Sequence, residues 1–253
     1  MPSQHVSTFA APDGTVLAYR DVGAGHPVIL LHGFVATGAM WSDAGITDRF
    51  VQQGFRVILP DLRGHGASAR PHAAPADVLA ADGLALIDAL GLETYALGGY
   101  SLGARVAVRM LVRGARPTRA LLGGQGMEQV RGSRGDRYRP MLTALAEGRA
   151  GDDGAAEWLR RSGNDPRALL AVLDTLVPTT PSELGAVPTE SLVVLGAGDE
   201  RRASGPALAQ SLGDARYIEV PGDHAGALAT PEFGEVAVDF LSPGPSSSGS
   251  DGA

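Results

Sequence analysis

Residues 95–107 read YALGGYSLGARVA. A short apolar run, Tyr95-Ala96-Leu97, leads into Gly98-Gly99-Tyr100-Ser101-Leu102-Gly103, and the Ala-, Val- and Arg-rich stretch behind it predicts a helix from about Ala104 to Val112. A strand that turns directly into a helix at a serine strains that residue and lifts its side chain clear of the sheet. The positions two before and two after then lie so close to neighbouring backbone that a Cβ would clash, which calls for glycine at both. Gly99-Tyr100-Ser101-Leu102-Gly103 has this spacing. Leu102 N–H falls in the first helical turn, where it has no intrahelical partner and points to where an oxyanion could sit. With 35 glycines in the chain the pentapeptide alone carries little weight. The strand before it and the helix after it carry more.

The remainder of the chain supplies a sheet for that turn. His5–Phe9 and Val16–Arg20 read as a hairpin around Pro12-Asp13-Gly14. Pro27–Leu31 and Phe55–Leu59 are continuous apolar runs of the kind buried on both faces, with a helix predicted between them from about Met40 to Gln53. Helical periodicity covers Ala76–Leu90 and stops at Gly91. Further strand-like runs are Arg119–Leu122, Ser191–Leu195 and Arg216–Val220, and a last helix is expected from about Pro231 to Leu241. Residues 125–187 contain no buried-strand run. They hold helical patterns at Met141–Glu147, Ala155–Arg161 and Arg167–Leu176. Strands alternating with helices predict a parallel sheet covered on both faces, with a helical insertion between two late strands. The expected division is 1–124 and 188–241 for the α/β core, 125–187 for the insertion and 242–253 for a disordered, Ser/Gly/Pro-rich tail.

Composition narrows the chemistry. The 253 residues carry a net charge of −7, 44% apolar and 19% charged residues, which fits a soluble globular enzyme and gives no reason to expect nucleic acid or an anionic membrane as partner. The densest basic group, Arg131, Arg134, Arg137 and Arg139, is interleaved with Gly, Ser and Asp and reads as a solvated face. Without cysteine there is no disulfide, thiolate metal site or cysteine nucleophile. The six histidines lack metal-binding spacing, Gly196-Ala197-Gly198-Asp199-Glu200-Arg201 has Arg201 where a dinucleotide fingerprint needs its third glycine, and Gly98–Gly103 lacks a phosphate-loop lysine. No cofactor is therefore expected. The N-terminal stretch has no basic and apolar leader pattern and no run approaches a membrane span, so the expected compartment is the cytoplasm.

Four motifs stand in order at the ends of predicted strands: His32-Gly33-Phe34, Gly99-Tyr100-Ser101-Leu102-Gly103, Gly196-Ala197-Gly198-Asp199 and Pro221-Gly222-Asp223-His224. On these, and on the loop Asp61-Leu62-Arg63-Gly64-His65-Gly66, the chain from His5 to Leu241 resembles the α/β-hydrolase superfamily, in its compact form with a helical cap. The resemblance implies a mostly parallel eight-stranded sheet flanked by helices. It makes Ser101 the nucleophile, His224 the general base and Asp199 the acid that orients His224, with Glu128 a lesser candidate for the acid. Phe34 and Leu102 supply the oxyanion N–H groups. His32 and His65 are loop residues. Phe34 and Tyr100 are expected to line the acyl side of the pocket. Met127, Met141, Leu145, Trp158 and Leu159 are assigned to the cap side on apolar character alone. Asp223 stands where a small residue is usual and could either raise the basicity of His224 or face water.

The implied activity is a serine hydrolase that cleaves an ester or related acyl bond of a small to medium substrate through an acyl-enzyme on Ser101. The same trio serves other chemistries on this fold. The elbow through Arg105 is similar to that of lyases of the menaquinone pathway, C–C or lactone cleavage is equally open, and some members are non-catalytic binders. Leu102 departs from the Met or Trp often found after the nucleophile in haloperoxidase-like members.

Overall fold

The computed structural model describes residues 5–132, 138–149 and 154–242. The expected disordered tail, apart from Ser242, lies outside them, as do Arg134, Arg137 and the side chain of Trp158.

Eight strands form one sheet: β1 (Val6–Ala10), β2 (Val16–Gly23), β3 (His26–Leu31), β4 (Phe55–Pro60), β5 (Ala96–Tyr100), β6 (Ala120–Gly123), β7 (Ser191–Gly196) and β8 (Ala215–Val220). Their spatial order is β1-β2-β4-β3-β5-β6-β7-β8. The pairs β1–β2 and β2–β4 are antiparallel, and all others are parallel. The apolar runs alternate between two cores, as a period of two requires. Ile29, Leu31, Ile58, Leu97, Leu122, Val193 and Leu195 face one core, and Val28, Leu30, Val57, Leu59, Ala96, Leu121, Leu192 and Val194 face the other.

Helices α1 (Ala39–Asp43) and α2 (Ile46–Gln52) cover the second face, joined later by α11 (Pro231–Leu241). The single helix expected over Met40–Gln53 is broken at Gly45, whose φ of 73° no helix can continue through. Trp41 and Phe50 nonetheless both bury completely, each contributing roughly 2–3 kcal/mol of apolar burial. The opposite face is covered by α3 (Val78–Ala89) and α4 (Leu102–Val112).

After β6 the chain forms α5 (Met127–Arg131), α6 (Arg139–Ala146), α7 (Gly154–Arg161), α8 (Pro166–Asp174) and α9 (Pro181–Gly185) before β7, and α10 (Gly205–Ser211) links β7 to β8. Thr179 N–H donates to Val130 O at 3.0 Å, so outgoing and returning chain meet at one point. Between them Leu142, Leu159, Leu169 and Leu173 build a small core that also takes in Val35 from the loop after β3. This excursion packs on the loop that follows β3.

Candidate active site

Parallel strands deliver their C-terminal ends to one sheet edge, and the loops after β3, β5, β7 and β8 meet there. At the end of β5, Ser101 has φ 53° and ψ −114°, a conformation that L-residues rarely adopt. The glycine spacing has its expected cause. A Cβ on Gly99 would run into the Gly103 carbonyl, and one on Gly103 into the Leu31 carbonyl. Ser101 N–H donates to Gly123 O at 2.8 Å, tying the turn to β6.

His224 arrives on the loop after β8. Asp223 Oδ1 accepts the N–H groups of Ala225 (3.1 Å) and Gly226 (2.7 Å), and Gly198 N–H donates to Gly222 O at 2.8 Å, binding the β7 and β8 loops together. The Asp223 carboxylate is thus occupied in closing its own turn and is exposed. His224 Nε2 lies 3.0 Å from Ser101 Oγ, and His224 Nδ1 lies 2.7 Å from Asp199 Oδ2. An ionised carboxylate only accepts, so Nδ1 carries the imidazole proton and Nε2 is left to accept from the serine hydroxyl. Asp199 is fully buried, and its Oδ1 accepts from Arg201 N–H at 3.0 Å and from Arg201 Nη1 at 3.1 Å. Burial works to raise its pKa, but the hydrogen bonds from His224 and Arg201 N–H, with the charges behind them, outweigh it and hold the carboxyl below the usual range. Glu128 is exposed on α5, and it is Asp199 that reaches the imidazole.

The loop after β3 is set by His32. Leu62 N–H can only donate, so His32 Nε2, 2.9 Å away, accepts, and His32 Nδ1–H donates to Gly33 O at 2.7 Å. Gly33 C=O and Phe34 N–H belong to one planar peptide and point in opposite directions. Fixing the first aims the second. A Cβ on Gly33 would sit 3.5 Å from Ser101 Cβ, so this peptide lies against the serine. Phe34 N–H has no backbone partner among the described residues, and Leu102 N–H opens α4. Val35, a β-branched residue at φ 64°, follows, buried in the small core with its carbonyl accepting from Asn164 Nδ2 at 3.2 Å. His65 packs edge-on against His32 (5.1 Å) and Phe34 (5.7 Å). Burial pushes His32 down to about 4 and His65 to about 3, so both are neutral at physiological pH.

A cavity of about 340 Å³ opens beside the imidazole, lined by Tyr138, Gly198–Arg201 and Asp223–Ala225. Its wall is polar, and the side chains expected to line a pocket are placed elsewhere. Tyr100 is buried beneath His224, its ring 5.5 Å from the imidazole and its hydroxyl donating to His224 O at 2.8 Å. Room for it comes from Gly123 and Gly124, where any Cβ would meet the tyrosine ring. Met127 and Leu159 are buried in the main and small cores, because both lie on helix faces turned toward apolar neighbours. Met141 and Leu145 flank the small core half-buried. The Phe34 ring lies 5.5 Å from that of Tyr138, which lines the cavity. Sequence reasoning missed the Arg201 contact with Asp199 and the Tyr100 support of His224. The glycine pair after β6 was a readable signal for the second.

With this geometry the chain has the α/β-hydrolase fold. The family model for the alpha/beta hydrolase fold matches residues 26–121. Over 104 residues, 41% of the chain, it is 38% identical to a non-heme haloperoxidase of Rhodococcus erythropolis, of which that stretch covers 37%. The chain spans little more than a third of the length of the curated relatives it matches. A thermophilic esterase of Thermogutta terrifontis superposes with TM-score 0.78 at 24% identity, covering 94% of this chain and 98% of that one. An enol-lactonase of Burkholderia xenovorans LB400 gives 0.77 at 23%, covering 93% and 99%. Among the described residues no helix is long and apolar enough to cross a membrane.

Proposed function

We propose that the protein is a serine hydrolase that cleaves a carboxylic ester or related acyl bond of a small to medium substrate. The observation that supports this most is the unbroken line Ser101 Oγ, His224 Nε2, His224 Nδ1, Asp199 Oδ2, with links of 3.0 and 2.7 Å, on a strained turn. Ser101 Oγ attacks the carbonyl carbon as its proton passes to His224 Nε2. The oxyanion accepts from Phe34 N–H and Leu102 N–H. The bond to the leaving group breaks as His224 returns the proton, and water then repeats the sequence on the acyl-Ser101 ester. The excursion between Val130 and Thr179 acts as a cap over the loop after β3, and Phe34 and Tyr138 meet the acyl group. Tyr100 supports the base rather than the substrate.

A fluorophosphonate probe tests this. Ser101 is expected to be labelled and Ser101→Ala to be unlabelled. Ser101→Ala and His224→Ala each cost roughly a thousandfold or more in kcat, without adding in the double variant. Labelling that survives Ser101→Ala sinks the reading.

The names of the sequence relatives favour a second reading, in which hydrogen peroxide intercepts the acyl-enzyme, releasing a peracid, and halogenation follows. Bromination of a β-diketone in acetate, peroxide and bromide, dependent on Ser101, would establish it.

A further inference from the structure

Asp199 caps the 3-10 turn Glu200–Ser204 that follows β7. Its Oδ1 accepts Arg201 N–H at 3.0 Å, and the turn folds the Arg201 side chain back so that Nη1 reaches the same oxygen at 3.1 Å. The carboxylate has no exposed surface and the guanidinium side chain only 16%, so solvent screens the pair poorly. The charge that would stabilise an imidazolium on Oδ2 is therefore shared with a fixed cation on Oδ1. We propose that Arg201 is a positioning residue for Asp199 and His224: its ion pair fixes the second carboxylate oxygen and draws off part of the carboxylate charge that faces the imidazole. The inference rests on the serine-hydrolase reading for the importance of His224 as a base, while the charge coupling can be measured without it.

The groups around the imidazole set the sign. Asp199 bonds it from the β7 loop and Ser101 from the end of β5, Tyr100 packs beneath it, and Glu200, Arg201, Asp223 and Tyr138 line the same cavity beside it. Among the described residues lining the cavity, Arg201 is the one cation beside three carboxylates. Removing it leaves an acidic surrounding that favours the imidazolium, so the His224 pKa rises. A base with a higher pKa is less available at low pH, so the acid limb of kcat/KM moves up with it. A purely structural turn-capping role, once lost, would loosen Asp199 from the imidazole and move both quantities down, the opposite sign.

The test is an NMR titration of the His224 imidazole in the full chain, its signal identified by loss in His224→Gln. Arg201→Met and Arg201→Gln remove the charge while keeping the main-chain N–H bond that shapes the turn. In both, the His224 signal should titrate at higher pH than in the unsubstituted protein, with Arg201→Lys restoring most of the wild-type behaviour. The acid limb for p-nitrophenyl acetate should follow. An unchanged or lowered His224 pKa in both charge-removing variants, or an Arg201→Lys shift as large as theirs, overturns the proposal. Failure of Ser101 to react with a fluorophosphonate overturns the hydrolase reading instead, and the titration still decides the coupling.

Discussion

At the scale of single residues, the site is built from conformations the chain would not adopt unaided. Ser101 at φ 53° is held by contacts on all sides, and such a residue stores roughly 1–3 kcal/mol. Glycine adopts the same φ without strain, so Ser101→Gly should raise the unfolding midpoint by about 2–4 °C while removing fluorophosphonate labelling, as thermal melts and probe assays would record. The residues that meet here were those whose chemistry needs a particular type at a particular place. Ser101, Asp199 and His224 were singled out by chain order, and they lie within hydrogen-bond reach of one another. Tyr100 and Met127 were expected to line the pocket and are buried instead, because an apolar or aromatic side chain fits a pocket and a core equally well. Only the neighbours brought by β6, α11 and α4 decide which.

At the scale of elements, apolar runs such as Val28–Leu31 and Val193–Leu195 announce buried strands directly, since both faces must be covered. Short helices are harder to read. Gly45 divides α1 from α2 through a positive φ that composition does not reveal, and α9 depends on a capping box between Thr180 and Glu183. The excursion is the element with the clearest consequence. Because Thr179 N–H closes onto Val130 O, a short Gly/Ser linker replacing residues 132–177 should leave the sheet intact. That variant is expected to keep Ser101 labelling by fluorophosphonate but to lose discrimination among p-nitrophenyl esters of different chain length. Retained discrimination would place the acyl pocket elsewhere.

For the whole molecule, pH acts through two buried histidines outside the Ser101–His224–Asp199 line. His32 and His65 are buried and neutral in the folded chain, with pKa values of about 4 and about 3, whereas an unfolded histidine titrates near 6.5. Their contribution to stability is complete above about pH 6.5 and is lost as pH falls toward their folded values, because the unfolded chain binds protons first. His65→Phe keeps the ring contact with Phe34 but has nothing to titrate. Between pH 6.5 and 4.5 its urea midpoint should fall less than that of the unsubstituted protein. An equal fall in both would remove His65 from the account. The meeting of Val130 and Thr179 has a historical side as well. A lineage can lengthen, shorten or exchange the chain between two points already in contact without disturbing strand register, so the excursion can be rebuilt while Ser101, His224 and Asp199 stay in place.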